Sequence, residues 1–146
     1  MKNLILCLLA ITVAACGQRT DTAASPQDAL QQLRGQWVVI NYWAQWCKPC
    51  IEEIPELNTL DSEYPDVTVL GVNYDGATGD ELEQQRQQLG VTFTSLAQDP
   101  AAQLGQARPV VLPTTFVLNP QGDLMETLIG PQTLESLVQA TQQAER

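Results

Sequence analysis

Cys47 and Cys50 stand in the run Trp46-Cys47-Lys48-Pro49-Cys50, two thiols with two residues between them. Within one helical turn that spacing brings both sulfurs close enough to bridge, and the chemistry it permits is reversible exchange between dithiol and disulfide. Exchange needs a thiolate; the positive end of a helix that begins here, together with Lys48, favours that state at Cys47. Cys47 is therefore the expected nucleophile, and Cys50 the thiol that displaces the product. The same spacing serves as half of a four-cysteine zinc site, but the other two cysteines, Cys7 and Cys16, lie at the amino-terminal end and the chain has no histidine. No metal is expected. A purely structural disulfide would close too short a loop to remove much chain entropy.

The rest of the composition narrows the chemistry further. Without histidine there is no Ser-His or Cys-His nucleophile pair, and no side chain that titrates near neutrality in its unperturbed state. Seventeen acidic residues against seven basic ones give a formal charge of −10, the wrong sign for a nucleic-acid partner. No cofactor is implied. At 146 residues and 44% apolar, the chain supports one domain with an ordinary core.

The elements that must position the dithiol follow from local patterns. Ser25-Pro26-Gln27-Asp28 starts a short helix to about Leu33. Trp37 to Trp43 is a near-continuous apolar run of the kind found in strands buried on both faces, and it leads straight into the cysteine motif. From Lys48 the pattern turns helical, with Ile51, Ile54, Leu57 and Leu60 apolar and Pro55 predicted to kink the helix without ending it. Val67 to Asn73 is a second strand. Thr78 to Glu81 has capping-box spacing and starts a polar helix through Leu89. A short strand near Val91 to Thr94 and a brief helix from Asp99-Pro100 to Leu104 come next. Thr114 to Leu118 and Asp123 to Leu128 read as a hairpin around Asn119-Pro120-Gln121-Gly122, and Pro131 opens the last helix. Alternating strands and helices closed by a hairpin and a helix predict an α/β domain, a central mixed sheet with helices on both faces.

At the amino terminus Lys2 precedes an apolar run from Leu4 to Ala15 that is too short to span a bilayer. Val13-Ala14-Ala15-Cys16 resembles the lipobox of bacterial lipoproteins, which implies cleavage before Cys16 and lipidation of its sulfur. The expected organisation is a signal peptide at 1–15, a flexible tether at 16–24 and a domain at 25–146. Loss of Lys2 makes the mature chain more acidic still, so attachment to a membrane would come from lipid and not from charge.

Three motifs carry a second resemblance: Asn41 to Cys50, then Glu53-Ile54-Pro55-Glu56-Leu57, then Leu112-Pro113-Thr114-Thr115-Phe116. In this order they strongly resemble the thioredoxin superfamily, and the TlpA/ResA-like branch of extracytoplasmic thiol-disulfide proteins fits best. The resemblance covers roughly Ser25 to Arg146 and implies a thioredoxin-like fold, with the segment between Gly76 and Ser95 similar to the central βα insertion of that branch. It also implies that Pro113 is a cis proline beside the dithiol, with the Leu112 backbone pairing to an extended substrate. Asn41 stands where thioredoxin itself carries a buried aspartate. Glu53 matches the acidic residue that the branch places near its dithiol; it could accept the Cys50 proton, and if buried its charge would raise the thiol pKa values and oppose Lys48. Glu52 and Glu56 read as surface charges, Trp43 as core and Trp46 as partial cover over the site, with Pro49 completing its surround.

The function these features imply is a membrane-tethered thiol-disulfide oxidoreductase acting on protein disulfides. No histidine stands between the cysteines, unlike strong DsbA-like oxidants, which favours a disulfide reductase. The resemblance implies recharging by a membrane donor of the DsbD/CcdA type, a periplasmic setting with Gly17 favouring the outer membrane, and a monomer. A dedicated cytochrome c maturation reductase is a narrower alternative, but its Gly-Ala-Pro-Glu segment is not matched by Val111-Leu112-Pro113-Thr114. A lipid-anchored module that binds partners noncovalently is an alternative of another class. The Pro-x-x-x-Thr-x-x-Cys pattern of peroxiredoxins is absent.

Overall fold

A computed structural model of the chain describes residues 26–143. The expected signal at 1–15, Cys16, the tether at 16–24 and the Ser25 cap lie outside the described residues. The elements are α1 (Pro26–Gln32), β1 (Trp37–Trp43), α2 (Lys48–Glu63), β2 (Val67–Asn73), α3 (Gly79–Leu89), β3 (Thr94–Ser95), β4 (Thr114–Leu118), β5 (Leu124–Ile129) and α4 (Leu134–Ala140). The strands form one sheet in the order β3-β2-β1-β4-β5. β1 runs parallel to β2, from Trp37 opposite Val67 to Trp43 opposite Asn73, and antiparallel to β4, with Asn41 opposite Thr115. The sheet is mixed, as the alternation of elements predicts.

β1 is the central strand, and every one of its seven residues is buried. Its alternate side chains divide between two cores, as a period of two requires. Trp37, Val39 and Trp43 meet Cys50, Ile54, Leu57 and Leu60 of α2, Leu137 of α4, and the partly buried Leu82 and Leu89 of α3. Val38, Ile40 and Tyr42 face the other way, toward Phe116, Leu118, Ala101 and the partly buried Leu30 and Leu33 around α1. Helices thus cover both faces. Gly71 lies opposite Asn41, and a Cβ there would stand 2.8 Å from Phe93 and 2.9 Å from Trp43 Nε1, so glycine leaves the space these two buried rings occupy.

The sequence misplaced several local features. Thr78 is the N-cap of α3 by position, but its side chain makes no capping hydrogen bond; the helix runs through Leu89 as expected, and Gly90, with φ of 70°, closes it in the left-handed region. The last helix starts not at Pro131 but at Leu134. There Thr133 accepts from Ser136 N–H, while the Ser136 hydroxyl accepts from Thr133 N–H, and this reciprocal cap overrides the proline as a start signal. The expected helix after Asp99-Pro100 is only a turn, in which Leu104 N–H reaches Pro100 O at 3.1 Å and Gln106 N–H reaches Ala101 O at 2.9 Å; one turn is too short to offset the cost of helix nucleation. The strand expected near Val91 to Thr94 is only Thr94–Ser95, because the backbone before it bonds elsewhere: Val91 N–H donates to Arg86 O, Thr92 N–H to the Asn58 side chain, and Phe93 O accepts from the Arg86 guanidinium.

Candidate active site

β1 ends at Trp43, and Cys47 N–H closes a turn onto Ala44 O at 3.1 Å before α2 begins. Cys47 is the N-cap of α2. Its sulfur accepts the backbone N–H of Cys50 at 3.2 Å, the bond that serine or aspartate oxygen makes at other helix starts. Pro49 stands in the first turn, where a missing N–H costs nothing. Cys47 and Cys50 are joined as a disulfide with Cα atoms 5.3 Å apart, Cys50 fully covered and Cys47 nearly so. The helix continues through Pro55, which is exposed.

Lys48 contributes less than the sequence implied. Its ammonium lies 3.8 Å from Glu52 Oε1, and the two side chains are 87% and 62% exposed, a screened pair with little field left for the sulfurs. The helix end is the stronger local influence on Cys47.

Glu53 lies one turn beyond Cys50 on the same helix and is buried, with 1% of its surface exposed. Asn41 Nδ2 donates to Glu53 Oε1 at 2.6 Å and to Thr115 Oγ1 at 3.0 Å, and the backbone N–H of Gln132 donates to Glu53 Oε2 at 2.8 Å. Asn41 therefore supplies no carboxylate of its own but grips one that comes from α2. Burial pushes the Glu53 carboxyl up to about 7, against the opposite pull of the Gln132 and Asn41 donors. Glu56, expected on the surface, is half-buried and accepts Leu134 N–H at 3.0 Å, which ties α4 to α2.

The Leu112–Pro113 bond is cis, the isomer that the resemblance implies. Pro113 is buried, and its carbonyl accepts Gly130 N–H at 2.9 Å. The loop from Gly130 to Gln132 thus touches both Pro113 and Glu53, while partly buried Leu112 packs against the cluster that holds both cysteines. Trp43 is fully buried. Trp46 is 66% exposed, and its indole N–H donates to Asp75 Oδ2 at 2.9 Å, so the loop after β2 holds this neighbour of Cys47 in the chain. Gln132 and Asp75 were not legible as neighbours of the site. A signal for Asn41 did exist: a polar residue inside a fully apolar strand requires a buried partner.

With this geometry in place, comparison with known proteins decides the family. Residues 18–127 match the model of the AhpC/TSA family. The chain belongs to that family. Its nearer kin place it in the thioredoxin superfamily, in the TlpA/ResA-like branch. It is 30% identical over 121 residues to the thioredoxin-like protein YneN of Bacillus subtilis, across 81% of this chain and 71% of that protein. It is 33% identical over 112 residues to the thiol-disulfide oxidoreductase ResA of Bacillus thuringiensis, across 74% of this chain and 63% of ResA, somewhat less than two thirds of that relative's length. The crystal structure of StoA from Bacillus subtilis superposes with a TM-score of 0.61 at 27% identity, covering 74% of this chain and 84% of that one. The chain's class is thiol-disulfide oxidoreductase. Among the described residues no group of three or more His, Cys, Asp or Glu side chains is arranged to hold a metal.

A raised carboxyl makes stability depend on pH in a definite direction. Between 4.5 and about 7 the folded protein holds the Glu53 proton more tightly than the unfolded chain, so the stabilisation is complete below about 4.5 and is lost as pH rises toward 7. That span corresponds to ~3 kcal/mol at most. Urea midpoints of the oxidised protein at pH 5 and pH 7.5 should therefore fall with pH, and Glu53→Gln should flatten the fall; identical slopes would mean that Glu53 is not the titrating group.

Proposed function

We propose that this chain is a reductase of disulfides in extracytoplasmic proteins, working through Cys47 and Cys50 and attached to a membrane by lipid at Cys16. The observation that carries the reading is the Cys47–Cys50 pair at the start of α2, with the Cys47 sulfur accepting a backbone N–H and the buried Glu53 carboxyl one turn away. In the reduced protein Cys47 thiolate attacks one sulfur of a substrate disulfide, forming a mixed disulfide and expelling the other substrate sulfur as thiolate. Cys50 then gives its proton to ionised Glu53 and attacks Cys47, releasing the second substrate thiol and leaving the internal disulfide. Two electrons pass to the substrate. A carboxyl of pKa about 7 is suited to take that proton near neutrality and to give it up afterwards.

The same groups support the reductase direction. An ionised Glu53 disfavours thiolate nearby, and Lys48 is too exposed to offset it, so the reduced form lacks the stabilisation that makes strong oxidants. Each pKa unit is worth about 1.4 kcal/mol, or roughly 30 mV in a two-electron couple. The backbone beside Pro113 is the edge against which an extended substrate segment would lie. Recharging would fall to a membrane dithiol donor of the DsbD/CcdA type, and the lipid would hold the domain near it. No helix among the described residues is long and apolar enough to cross a membrane.

Two experiments separate the chemistry from the tether. Full-length Cys50→Ala, reduced and mixed with insulin, should accumulate a dithiothreitol-sensitive adduct through Cys47, whereas Cys47→Ala should form none; equal labelling of both variants would remove Cys47 as the nucleophile. In cells of an envelope-bearing host, Cys16→Ser should lose lipid incorporation and leave the membrane fraction. A Cys16→Ser chain that stays membrane-bound and lipid-labelled would overturn the anchor.

A further inference from the structure

The segment from Gln106 to Leu112, which leads into cis-Pro113, has no regular secondary structure and is fastened largely by side chains. Arg108 makes the principal fastening. Its Nε donates to Asp99 Oδ2 at 2.9 Å, its guanidinium lies 4.0 Å over the Tyr74 ring, and its terminal nitrogen donates to Tyr74 O. Tyr74 in turn donates its hydroxyl to Pro109 O at 3.0 Å. Asp99 is itself held, accepting from the Tyr42 hydroxyl at 2.7 Å and from Ala101 N–H at 2.9 Å. Burial and the Asp99 carboxylate push the Tyr42 phenol upward, so it remains a neutral donor.

Tyr74 and Asp75 therefore serve two sides at once. Tyr74 N–H is bound to Trp43 O at 2.8 Å, at the end of the strand that delivers the cysteines, and Asp75 holds the indole of Trp46 next to Cys47. From these consecutive residues one set of bonds runs to Trp46 and the other, through Arg108, to the approach of Pro113. Packing holds the segment at Leu112, but from Gln106 to Val111 it borders an open cavity of about 310 Å³ shared with Phe116 and Ile129, and Val110 is 91% exposed.

We propose that Arg108 is a positioning residue for polypeptide substrates: it fixes the chain leading into Pro113 relative to Trp46 and Cys47, and so sets the width of the groove that an extended disulfide-bearing segment must enter. This rests on the reductase reading of the site. Arg108 touches neither sulfur, so a small disulfide that needs only Cys47 should not sense it. Lysine would keep the charge but lose the planar fork that bonds Asp99 and Tyr74 together while stacking on the ring.

The test compares two substrates with pre-reduced full-length protein in single-turnover reactions: 5,5′-dithiobis(2-nitrobenzoate) and insulin, the latter over a range of concentrations. For Arg108→Gln the half-saturating insulin concentration should rise on the order of tenfold, with the limiting rate and the small-disulfide rate constant unchanged. Arg108→Lys should fall in between, and Tyr74→Phe, which removes only the Pro109 bond, should shift insulin in the same direction by less. Equal losses on both substrates, a change in limiting rate alone, or no change on insulin would each overturn the proposal. A parent protein inert toward both substrates would overturn the reductase reading, and this inference with it.

Discussion

The Cys47 sulfur occupies the capping position of α2, where it receives the N–H of Cys50. That one contact requires a strand that ends at the right residue, a turn of fixed length and a helix whose first donors point back at the strand end. β1 meets the first requirement by being buried along its whole length, which leaves no freedom to slip against β2 or β4 without turning a full set of apolar side chains to the wrong face. The turn from Ala44 to Cys47 meets the second. The positive end of α2 then lies at the sulfur, and the same geometry brings Cys50 within bonding distance.

A buried carboxyl beside this pair is the second constraint, and three parts of the chain cooperate to hold it. α2 supplies Glu53, β1 supplies Asn41, and the loop before α4 supplies Gln132 N–H. A group that is costly to ionise but held by two donors sits between its two charge states, which is what a proton acceptor in an exchange reaction needs. One short segment, Gly130 to Gln132, holds both Pro113 O and the Glu53 carboxyl.

Much of this was legible in the sequence where one local signal was unopposed. β1, β2 and β4 were predicted with the bounds the structure shows, because continuous buried runs admit only one framing. The pairing of Cys47 with Cys50 and the cis bond at Pro113 were legible by motif. Helix starts were less so: Thr78 and Pro131 both carry start signals, yet Thr78 makes no cap bond and the last helix waits for the reciprocal Thr133–Ser136 cap. The contacts that escaped altogether join residues far apart in the chain and leave no periodic trace. Gln132 reaches Glu53 across 79 positions, and Arg108 reaches Tyr74 across 34. A lone arginine in a polar loop carries no local mark of the aromatic ring it will stack on.

Reversible making and breaking of the Cys47–Cys50 bond is what the site's other features serve. Equilibrating the full-length protein in graded mixtures of reduced and oxidised dithiothreitol or glutathione, then counting free thiols at Cys47 and Cys50 by alkylation and mass, measures it directly. The pair should pass completely and reversibly between the two states in a single two-electron transition. If it stays locked in either state under excess reductant and excess oxidant alike, with the fold intact, the assignment of this chain as a working thiol-disulfide oxidoreductase is wrong.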